Sequence, residues 1–480
     1  MSGEALWRLD ATDLVAGYRA GRFTPEQALQ ACLARDVATQ DRLHALIWRD
    51  PDGALAAARA STRRWAQGRP LSELDGVPVT VKDNLHVQGW PTRWGSRLLP
   101  EQSRPSDELP VARLRAAGAV LWAKTHLPEF AMQGITDNLL HGACHNPWDL
   151  GCTPGGSSGG AAAAVAAGLG PLALATDGGG SIRRPAAHCG VLGFKPSAGR
   201  VPRAGGLPEI FLDHEVVGGL ARSGRDLETL LGVLAGGTGA LTAAAPHQGS
   251  ARILVVPRFG QHPVQAGVLE RLEQGAQCLQ ALGHELVRPA SFDLAEDLNL
   301  HWPSLNGVGL AWLLDTPSAW ARLGTGQPAP ADLRLAGPVA QAALAAGRQG
   351  SAQSLFRLLA AIHVLQQSMR DLFDQVDYVL TPSTACVAWP LGFTHPEQID
   401  GQAVGPRGHA VFTALANAAG LPAVSVPAGL VDGLPCGLQL IGPAGADAAV
   451  LALARQCSPL LHQGPSWPPG LEPAMDEAPA

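Results

Sequence analysis

The sequence predicts an α/β fold for this chain of 480 residues. Between residues 75 and 260, short runs rich in β-branched residues, such as 77–81, 120–122 and 253–256, alternate with alanine-rich helical stretches and glycine turns. This alternation is typical of a sheet whose strands are joined by helices. Apolar residues make up 46% of the chain and charged residues only 16%. We therefore expect a large core.

Helices are expected to open the chain, over residues 1–70. The segment Thr24 to Gln27 combines a capping threonine, a proline at the first helical position and a glutamine three residues after the cap. Residues 285–350 lose the alternation of strand and helix and are predicted to form an inserted helical cap, before a helix from about Ser354 to Phe373. The tail over 464–480 has five prolines and is expected to be disordered.

Charge and cysteine usage narrow the class of protein. The formal net charge of −6 and the isoelectric point near 6.2 provide no basic surface, so we expect no direct nucleic-acid partner. The first ten residues carry acids and no apolar signal region, and the uncharged run 159–175 is slightly short for a membrane span. Eight scattered cysteines without a Cys-x-x-Cys pair indicate reduced thiols. The prediction is a cytoplasmic enzyme with no membrane contact.

One group of residues could be interpreted as a zinc site. His141, Cys144, His145 and Cys152 lie close together in the sequence. Their spacing matches no standard zinc finger, and they flank a segment that resembles an ordinary loop. We therefore expect no metal.

The distribution of lysine singles out a chemical centre. Among 35 lysine and arginine residues only three are lysines, Lys82, Lys124 and Lys195, and all three lie in one stretch rich in glycine and serine. A genome biased towards arginine would explain the ratio but not the clustering. Arginine stays protonated, whereas a buried lysine can lose its proton and act as a base. Lys82 follows the apolar run 77–81 and is the strongest candidate.

Two glycine-rich turns each present serine. Residues 154–160 contain Ser157, and residues 177–185 contain Ser181. The backbone N–H groups of the second turn could form an oxyanion hole, from Gly178, Gly179, Gly180 and Ser181. The first turn alone would most often be a flexible loop, and it lacks the Gly-Lys-Ser/Thr ending of a phosphate loop. Because no histidine marks a nucleophile elbow, a Ser/Lys arrangement fits better.

Taken together, these segments resemble the amidase signature family. The matching segments cover most of the chain, more weakly from 240 to 370, and include 76–83, 123–131, 146–149, 153–160, 176–185, 189–196 and 433–440. The resemblance implies a single large α/β/α domain over 71–463, with a mixed central sheet covered by helices.

The resemblance also implies roles for individual residues. Ser181 would be the nucleophile, Lys82 the base, and Ser157 a bridging serine that follows a cis peptide bond from Gly156. The implied reaction is hydrolysis of a carboxamide C–N bond through a seryl acyl-enzyme, without metal or organic cofactor. Asp177 and Arg183 are expected to form an ion pair beside the nucleophile, and Lys124 and Lys195 to pair with carboxylates or carbonyls.

Three positions depart from the family pattern. Gly178 replaces a residue that is usually threonine or another residue with a side chain, and Cys152 stands where arginine is common. The segment 92–96, usually Thr-Thr-x-Gly-Ser in the family, here has Arg93 and Trp94 at its second and third positions, and we expect both to line the entrance to the substrate pocket. The alternative is that these departures are neutral drift on the rim of the cleft.

The sequence leaves the substrate open among aliphatic, aryl and amino-acid amides, and a homodimer is an open alternative to a monomer. Two other functions remain open as well. One is the amidase (A) subunit of a tRNA-dependent amidotransferase, which needs partner subunits. The other is a catalytically inactive scaffold or binding protein, which retention of the Ser-Ser-Lys set disfavours.

Overall fold

A computed structural model describes residues 3–239, 241, 249–330, 332–461 and 467–471. Its strands are β1 (Leu46–Arg49), β2 (Pro78–Lys82), β3 (Val120–Thr125), β4 (Asp137–Asn138), β5 (Gly142–Ala143), β6 (Leu172–Asp177), β7 (Leu192–Lys195), β8 (Val216–Ala221), β9 (Arg252–Val255), β10 (Glu285–Val287), β11 (Tyr378–Pro382), β12 (Gln398–Ile399), β13 (Gln402–Ala403), β14 (Ala423–Val431) and β15 (Leu434–Ile441).

The α-helices are α1 (Ala11–Arg19), α2 (Pro25–Leu43), α3 (Pro51–Ala66), α4 (Leu109–Ala116), α5 (Gly159–Ala167), α6 (Arg183–Cys189), α7 (Gly224–Leu234), α8 (Ala266–Ala281), α9 (Glu296–His301), α10 (Pro303–Asp315), α11 (Pro317–Ala321), α12 (Pro338–Gln349), α13 (Ala352–Phe373), α14 (Ala414–Ala418) and α15 (Asp447–Leu461). Short 3₁₀ helices span Gly3–Arg8, Glu129–Ala131, Leu212–His214, Leu333–Leu335, Gly408–Ala410 and Pro469–Leu471.

The centre of the fold is one mixed sheet. Within the described residues it has 11 strands, in the spatial order β1-β3-β2-β6-β8-β7-β14-β15-β11-β9-β10. Strand β2 runs parallel to β3 and β6, and β9 runs parallel to β10 and β11, whereas the other neighbours pair antiparallel. Helices pack against this sheet around two large apolar clusters. The predicted α/β class with a mixed central sheet is confirmed.

The first 70 residues do not form a purely helical segment. The capping box is present, with the N–H of Gln27 donating to Thr24 Oγ1 at 3.2 Å and the N–H of Thr24 donating to Gln27 Oε1 at 2.9 Å. However, β1 lies in this region and pairs antiparallel with β3 at the edge of the main sheet. The chain's opening segment therefore contributes an edge strand to the main sheet.

The predicted helical cap at 285–350 contains α9, α10, α11 and α12, and it begins with strand β10 at the far edge of the sheet. Its apolar side chains pack into the second large cluster, where Trp302 is 1% exposed. The following helix, α13, covers the predicted range and begins at a Ser351 cap. The cap region carries Trp302 and its neighbours to the cavity described below.

The C-terminal tail differs from the prediction of disorder where it is described. Trp467 packs edge-on against Trp7 with ring centroids 4.8 Å apart, and Leu471 is fully buried. These two apolar side chains anchor residues 467–471 against the N-terminal helices. The rest of 464–480 lies outside the described residues. Among the helices that the structure describes, none has the length and apolarity to cross a bilayer.

Candidate active site

Lys82 is the last residue of β2, a strand whose five residues are all buried between β3 and β6. Its side chain is inaccessible to solvent, and Nζ donates to Ser157 Oγ at 2.8 Å, to Thr176 Oγ1 at 3.0 Å and to the Thr176 carbonyl at 3.3 Å. Burial lowers the pKa of Lys82 to about 7, although Glu215 and Asp177 oppose the shift. A neutral amine is therefore accessible near neutral pH.

Ser157 follows a cis peptide bond from Gly156 and is 1% exposed. The turn around it requires glycine, because a Cβ atom at Gly156 would collide with the backbone carbonyl oxygen of Ile135. Ser158 joins the two glycine-rich turns. Its N–H donates to the carbonyl of Ser181 at 3.1 Å, and its hydroxyl donates to the Thr176 carbonyl at 3.2 Å. The turn that carries Ser157 is thus tied to the turn that carries Ser181.

The turn that carries Ser181 connects β6 to α6 and is organised by Asp177. The Asp177 carboxylate is fully buried and accepts from the N–H groups of Gly180 at 2.7 Å and Ile182 at 3.0 Å. Burial alone would raise the pKa of Asp177, but the charge and hydrogen bonds of Arg183 hold that pKa well below its usual range. The carboxylate therefore stays ionised and keeps the turn closed.

Arg183 completes this arrangement as predicted. It is fully buried, with Nη2 2.8 Å and Nε 3.0 Å from the Asp177 carboxylate. Its Nη1 donates to the carbonyl of Thr413 at 2.9 Å and to Gln439 Oε1 at 2.5 Å, and Nη2 also donates to Asn417 Oδ1 at 2.6 Å. The ion pair thus fixes the Ser181 turn to α14 and β15.

The structure corrects one member of the predicted oxyanion hole. Gly178, Gly179 and Ser181 line an open cavity, but the N–H of Gly180 is bound to Asp177 Oδ1 and is not free for a ligand. Gly180 is required for another reason. Its φ is +115°, and a Cβ atom there would collide with Thr413. The donors that remain from the predicted set are the N–H groups of Gly178, Gly179 and Ser181.

Gly178 leaves room in the cavity wall. A Cβ atom at this position would meet Glu215 and Phe211 at 3.4–3.5 Å, which is ordinary van der Waals contact. The absence of a side chain at this position therefore widens the cavity beside Ser181, and close packing does not require glycine here.

Arg93 and Trp94 do not line the cavity, contrary to the expectation from the sequence. Trp94 adopts a left-handed backbone conformation with φ of 50°, is 1% exposed and packs edge-on against Phe130 at 5.5 Å. Arg93 points instead to the Leu99 carbonyl and forms an ion pair with Glu101 at 3.6 Å. The aromatic wall of the cavity comes from Phe211 and Trp302. Both lie outside the motifs, so no signal in the sequence identified them.

Cys152, the third departure from the family pattern, also lies away from the cavity. It forms a β-bridge with Pro390, and its thiol donates to Asp149 Oδ2 at 3.5 Å. Burial and the Asp149 charge raise the pKa of the Cys152 thiol to about 11, so the thiol stays protonated. Among the residues that the structure describes, no group of three or more His, Cys, Asp and Glu side chains could hold a metal.

The two other lysines have the structural roles that were predicted. Lys124 Nζ donates to the Leu85 carbonyl at 2.6 Å and lies 3.3 Å from the Asp83 carboxylate. Lys195 Nζ donates to the Pro196 carbonyl at 2.7 Å. Both lysines therefore stabilise the buried segments around them through these contacts.

The Ser181 turn is expected to depend on Arg183. Because Arg183→Met would leave the Asp177 carboxylate buried without a cation, we expect the free energy of unfolding to fall by about 3–5 kcal/mol. Arg258, which is exposed, provides a matched control, and Arg258→Met is expected to change stability by no more than about 0.5 kcal/mol. Denaturant titration of both variants measures the difference. Equal stability of the two variants would contradict this role for the ion pair.

A model of the family described as Amidase matches residues 27–451. Among curated proteins, the A subunit of the glutamyl-tRNA(Gln) amidotransferase of Chloroflexus aurantiacus is 35% identical over 472 residues, covering 93% of this chain and 95% of that protein. The protein of the same name from Anaeromyxobacter sp. is 37% identical over 495 residues, covering 95% and 97%.

Solved structures show the same relationship. A crystal structure of an amidase has a TM-score of 0.83 at 32% identity, covering 94% of this chain and all of that one. A bacterial aryl acylamidase of the amidase signature family has a TM-score of 0.83 at 28% identity, covering 94% and 96%. A 6-aminohexanoate cyclic dimer hydrolase with bound substrate has a TM-score of 0.84 at 26% identity, covering 97% and 100%. Because the family model matches residues 27–451, which are most of the chain, this chain belongs to the amidase signature family.

Proposed function

We propose that this protein hydrolyses the C–N bond of a carboxamide, with Ser181 as nucleophile. The observation that carries the proposal is the 2.8 Å hydrogen bond between the buried side chains of Lys82 and Ser157, next to the turn whose Ser181 lines the cavity. A scaffold protein has no need to hold an amine of lowered pKa against a buried serine. The retained geometry therefore argues against the inactive alternative.

The proposed mechanism uses these residues in sequence. Neutral Lys82 accepts a proton from Ser157 as Ser157 accepts one from Ser181, and Ser181 Oγ attacks the amide carbonyl carbon. The N–H groups of Gly178, Gly179 and Ser181 stabilise the negative charge on the carbonyl oxygen. The proton then returns to the leaving nitrogen as the C–N bond breaks. Water attacks the acyl-enzyme by the same route, giving a carboxylate and ammonia or an amine.

The first test is covalent labelling of the nucleophile. A fluorophosphonate should add once to the wild-type protein, should fail to add to Ser181→Ala, and should add at least about a hundredfold more slowly to Lys82→Ala. Intact-mass spectrometry measures each adduct, and turnover of simple amides is measured on the same preparations. A full-rate adduct on folded Ser181→Ala would remove Ser181 from the proposed role.

The second test is the pH dependence of that labelling. Protonated Lys82 cannot accept a proton, so the labelling rate should rise with pH, with a midpoint near the Lys82 pKa of about 7. Lys195 provides the matched control, because burial also lowers the pKa of this lysine to about 7. The midpoint should persist in Lys195→Met and disappear in Lys82→Arg, where the guanidinium stays protonated. A wild-type rate that falls as pH rises through 7 would contradict Lys82 as the base.

A second candidate function is that of an amidase component in a tRNA-dependent amidotransferase. The curated relatives favour it, because eight of them carry the name of the A subunit of glutamyl-tRNA(Gln) amidotransferase and match this chain over 90–97% of its length. The proposed chemistry at Ser181 is the same in both candidates. They differ in the source of the amide and in the need for partner proteins.

The two candidates predict different behaviour of the isolated protein. A free-standing amidase should purify alone and hydrolyse small amides at full rate. An amidotransferase component should co-purify with partners from its native cells, and addition of those partners should raise its hydrolysis of glutamine. Affinity purification followed by mass spectrometry and a glutaminase assay measures both properties. A lone protein that turns over small amides but not glutamine would exclude the second candidate.

A further inference from the structure

Two arginines line the same cavity as Ser181. Arg184 is the second residue of α6, and Arg407 precedes the 3₁₀ helix Gly408–Ala410. The cavity has a volume of about 310 Å³, which suits a small molecule. Arg184 belongs to the motif around Ser181, whereas Arg407 comes from a part of the chain that no motif covers. The sequence alone does not bring them together.

Neither guanidinium is neutralised by the described part of the protein. Among the described residues, no carboxylate forms an ion pair with Arg184 or Arg407, and the Nε atom of each is buried without a hydrogen-bond partner. Burial lowers the pKa of Arg184 to about 9, and the nearby charge of Arg407 contributes to that shift. Burial also lowers the pKa of Arg407 to about 10. The Asp177 carboxylate opposes the shift in the Arg184 pKa, but its ion pair is with Arg183. Both Arg184 and Arg407 remain charged near neutral pH, so the cavity wall carries two positive charges that have no carboxylate partner among the described residues.

The other described polar groups of the cavity wall add one negative charge, that of Glu215, and this charge is already engaged by protein partners. His409 lines the cavity at 3% exposure, both of its ring nitrogens are without partners among the described residues, and burial holds its pKa well below the usual value. Glu215 is the carboxylate among the described lining residues, but it accepts from Asn84 Nδ2 at 3.1 Å and lies 3.3 Å from Arg203 Nη1. The described cavity wall therefore offers sites for an anion and no unengaged carboxylate for an ammonium group.

We propose that Arg184 and Arg407 form a carboxylate subsite, and that the substrate is a small amide that carries a carboxylate and no ammonium group. This inference rests on the proposed amide hydrolysis. A guanidinium presents paired N–H donors that match the two oxygens of a carboxylate, and such charge-assisted bonds are about twice as strong as neutral ones. The carboxylate can lie on the acyl side, as in a monoamide of a dicarboxylic acid, or on the amine side, as in an N-acyl amino acid.

Arg407 is the residue to change. Arg184 Nη1 donates to the Gly179 carbonyl at 2.8 Å and Nη2 donates to the Gly156 carbonyl at 3.3 Å, so its removal would disturb both glycine-rich turns. Within the described part of the chain, the Arg407 side chain makes a single weak hydrogen bond, from Nη2 to the Ala410 carbonyl at 3.5 Å. A change at Arg407 therefore tests ligand binding with little effect on the turns.

The experiment measures binding without chemistry. Calorimetric titration of Ser181→Ala uses four probes: succinamate, N-acetylglycine, glutamine, and the branched alkyl amide in which an isopropyl group replaces the succinamate carboxylate. One of the two carboxylate probes should bind at least about tenfold more tightly than both the alkyl amide and glutamine. In Ser181→Ala/Arg407→Gln that advantage should fall by roughly ten- to a hundredfold. Ser181→Ala/Arg258→Gln removes an exposed charge and should retain it.

The outcomes separate this inference from the proposed reaction. Preference for the alkyl amide, equal binding of all probes, or no binding of any probe overturns the carboxylate subsite, whereas fluorophosphonate labelling of the wild type still tests Ser181. Tightest binding of glutamine overturns the exclusion of an ammonium group. If Arg407→Gln does not fold, the comparison of the four probes in Ser181→Ala decides the question alone. The better of the two carboxylate probes shows on which side of the amide the carboxylate lies.

Discussion

The ion pair between Asp177 and Arg183 is the interaction on which the site depends. A buried carboxylate is costly unless it is compensated, and here one carboxylate accepts backbone N–H groups from its own turn while its cation reaches Thr413, Asn417 and Gln439. The same pair therefore shapes the turn that presents Ser181 and joins that turn to α14 and β15. Loss of this ion pair would therefore free the Ser181 turn from Asp177 and also detach that turn from α14 and β15.

Burial of Lys82 is the second constraint, and it follows from the sheet. Strand β2 lies between β3 and β6, so the last side chain of β2 has no route to solvent. The free-energy cost of burying an ammonium group lowers the Lys82 pKa, and that shift gives the lysine access to its neutral form. The hydroxyls of Ser157 and Thr176 accept from Nζ and limit the cost. The burial that disfavours the charged form of Lys82 therefore also makes its neutral, basic form available near neutral pH.

The sequence predicted the parts of the site that lie in short motifs. Lys82, Ser157 and the turn around Ser181 are adjacent in space because β2 pairs with β6, and each carries a local signature of glycine, serine or lysine. The prediction that Trp94 lines the cavity entrance was wrong because a left-handed backbone directs its indole into the core. The residue type alone does not reveal that backbone conformation. The prediction of disorder does not hold for residues 467–471, because it rested on proline content and gave no weight to the apolar side chains of Trp467 and Leu471. Gly180 was assigned as a donor because a motif does not show which N–H group is already bound.

The cavity wall shows why the reaction and its substrate are separate questions in this fold. The groups proposed for bond cleavage come from β2, from the turn after β6 and from the turn that contains Ser157, and all three lie within the range that the family model matches. Phe211, Trp302 and Arg407 come from loops and from the cap, and only the folded chain brings them to the cavity. Family membership therefore supports the chemistry of amide cleavage, whereas charge and shape contributed by distant segments decide which amide is bound.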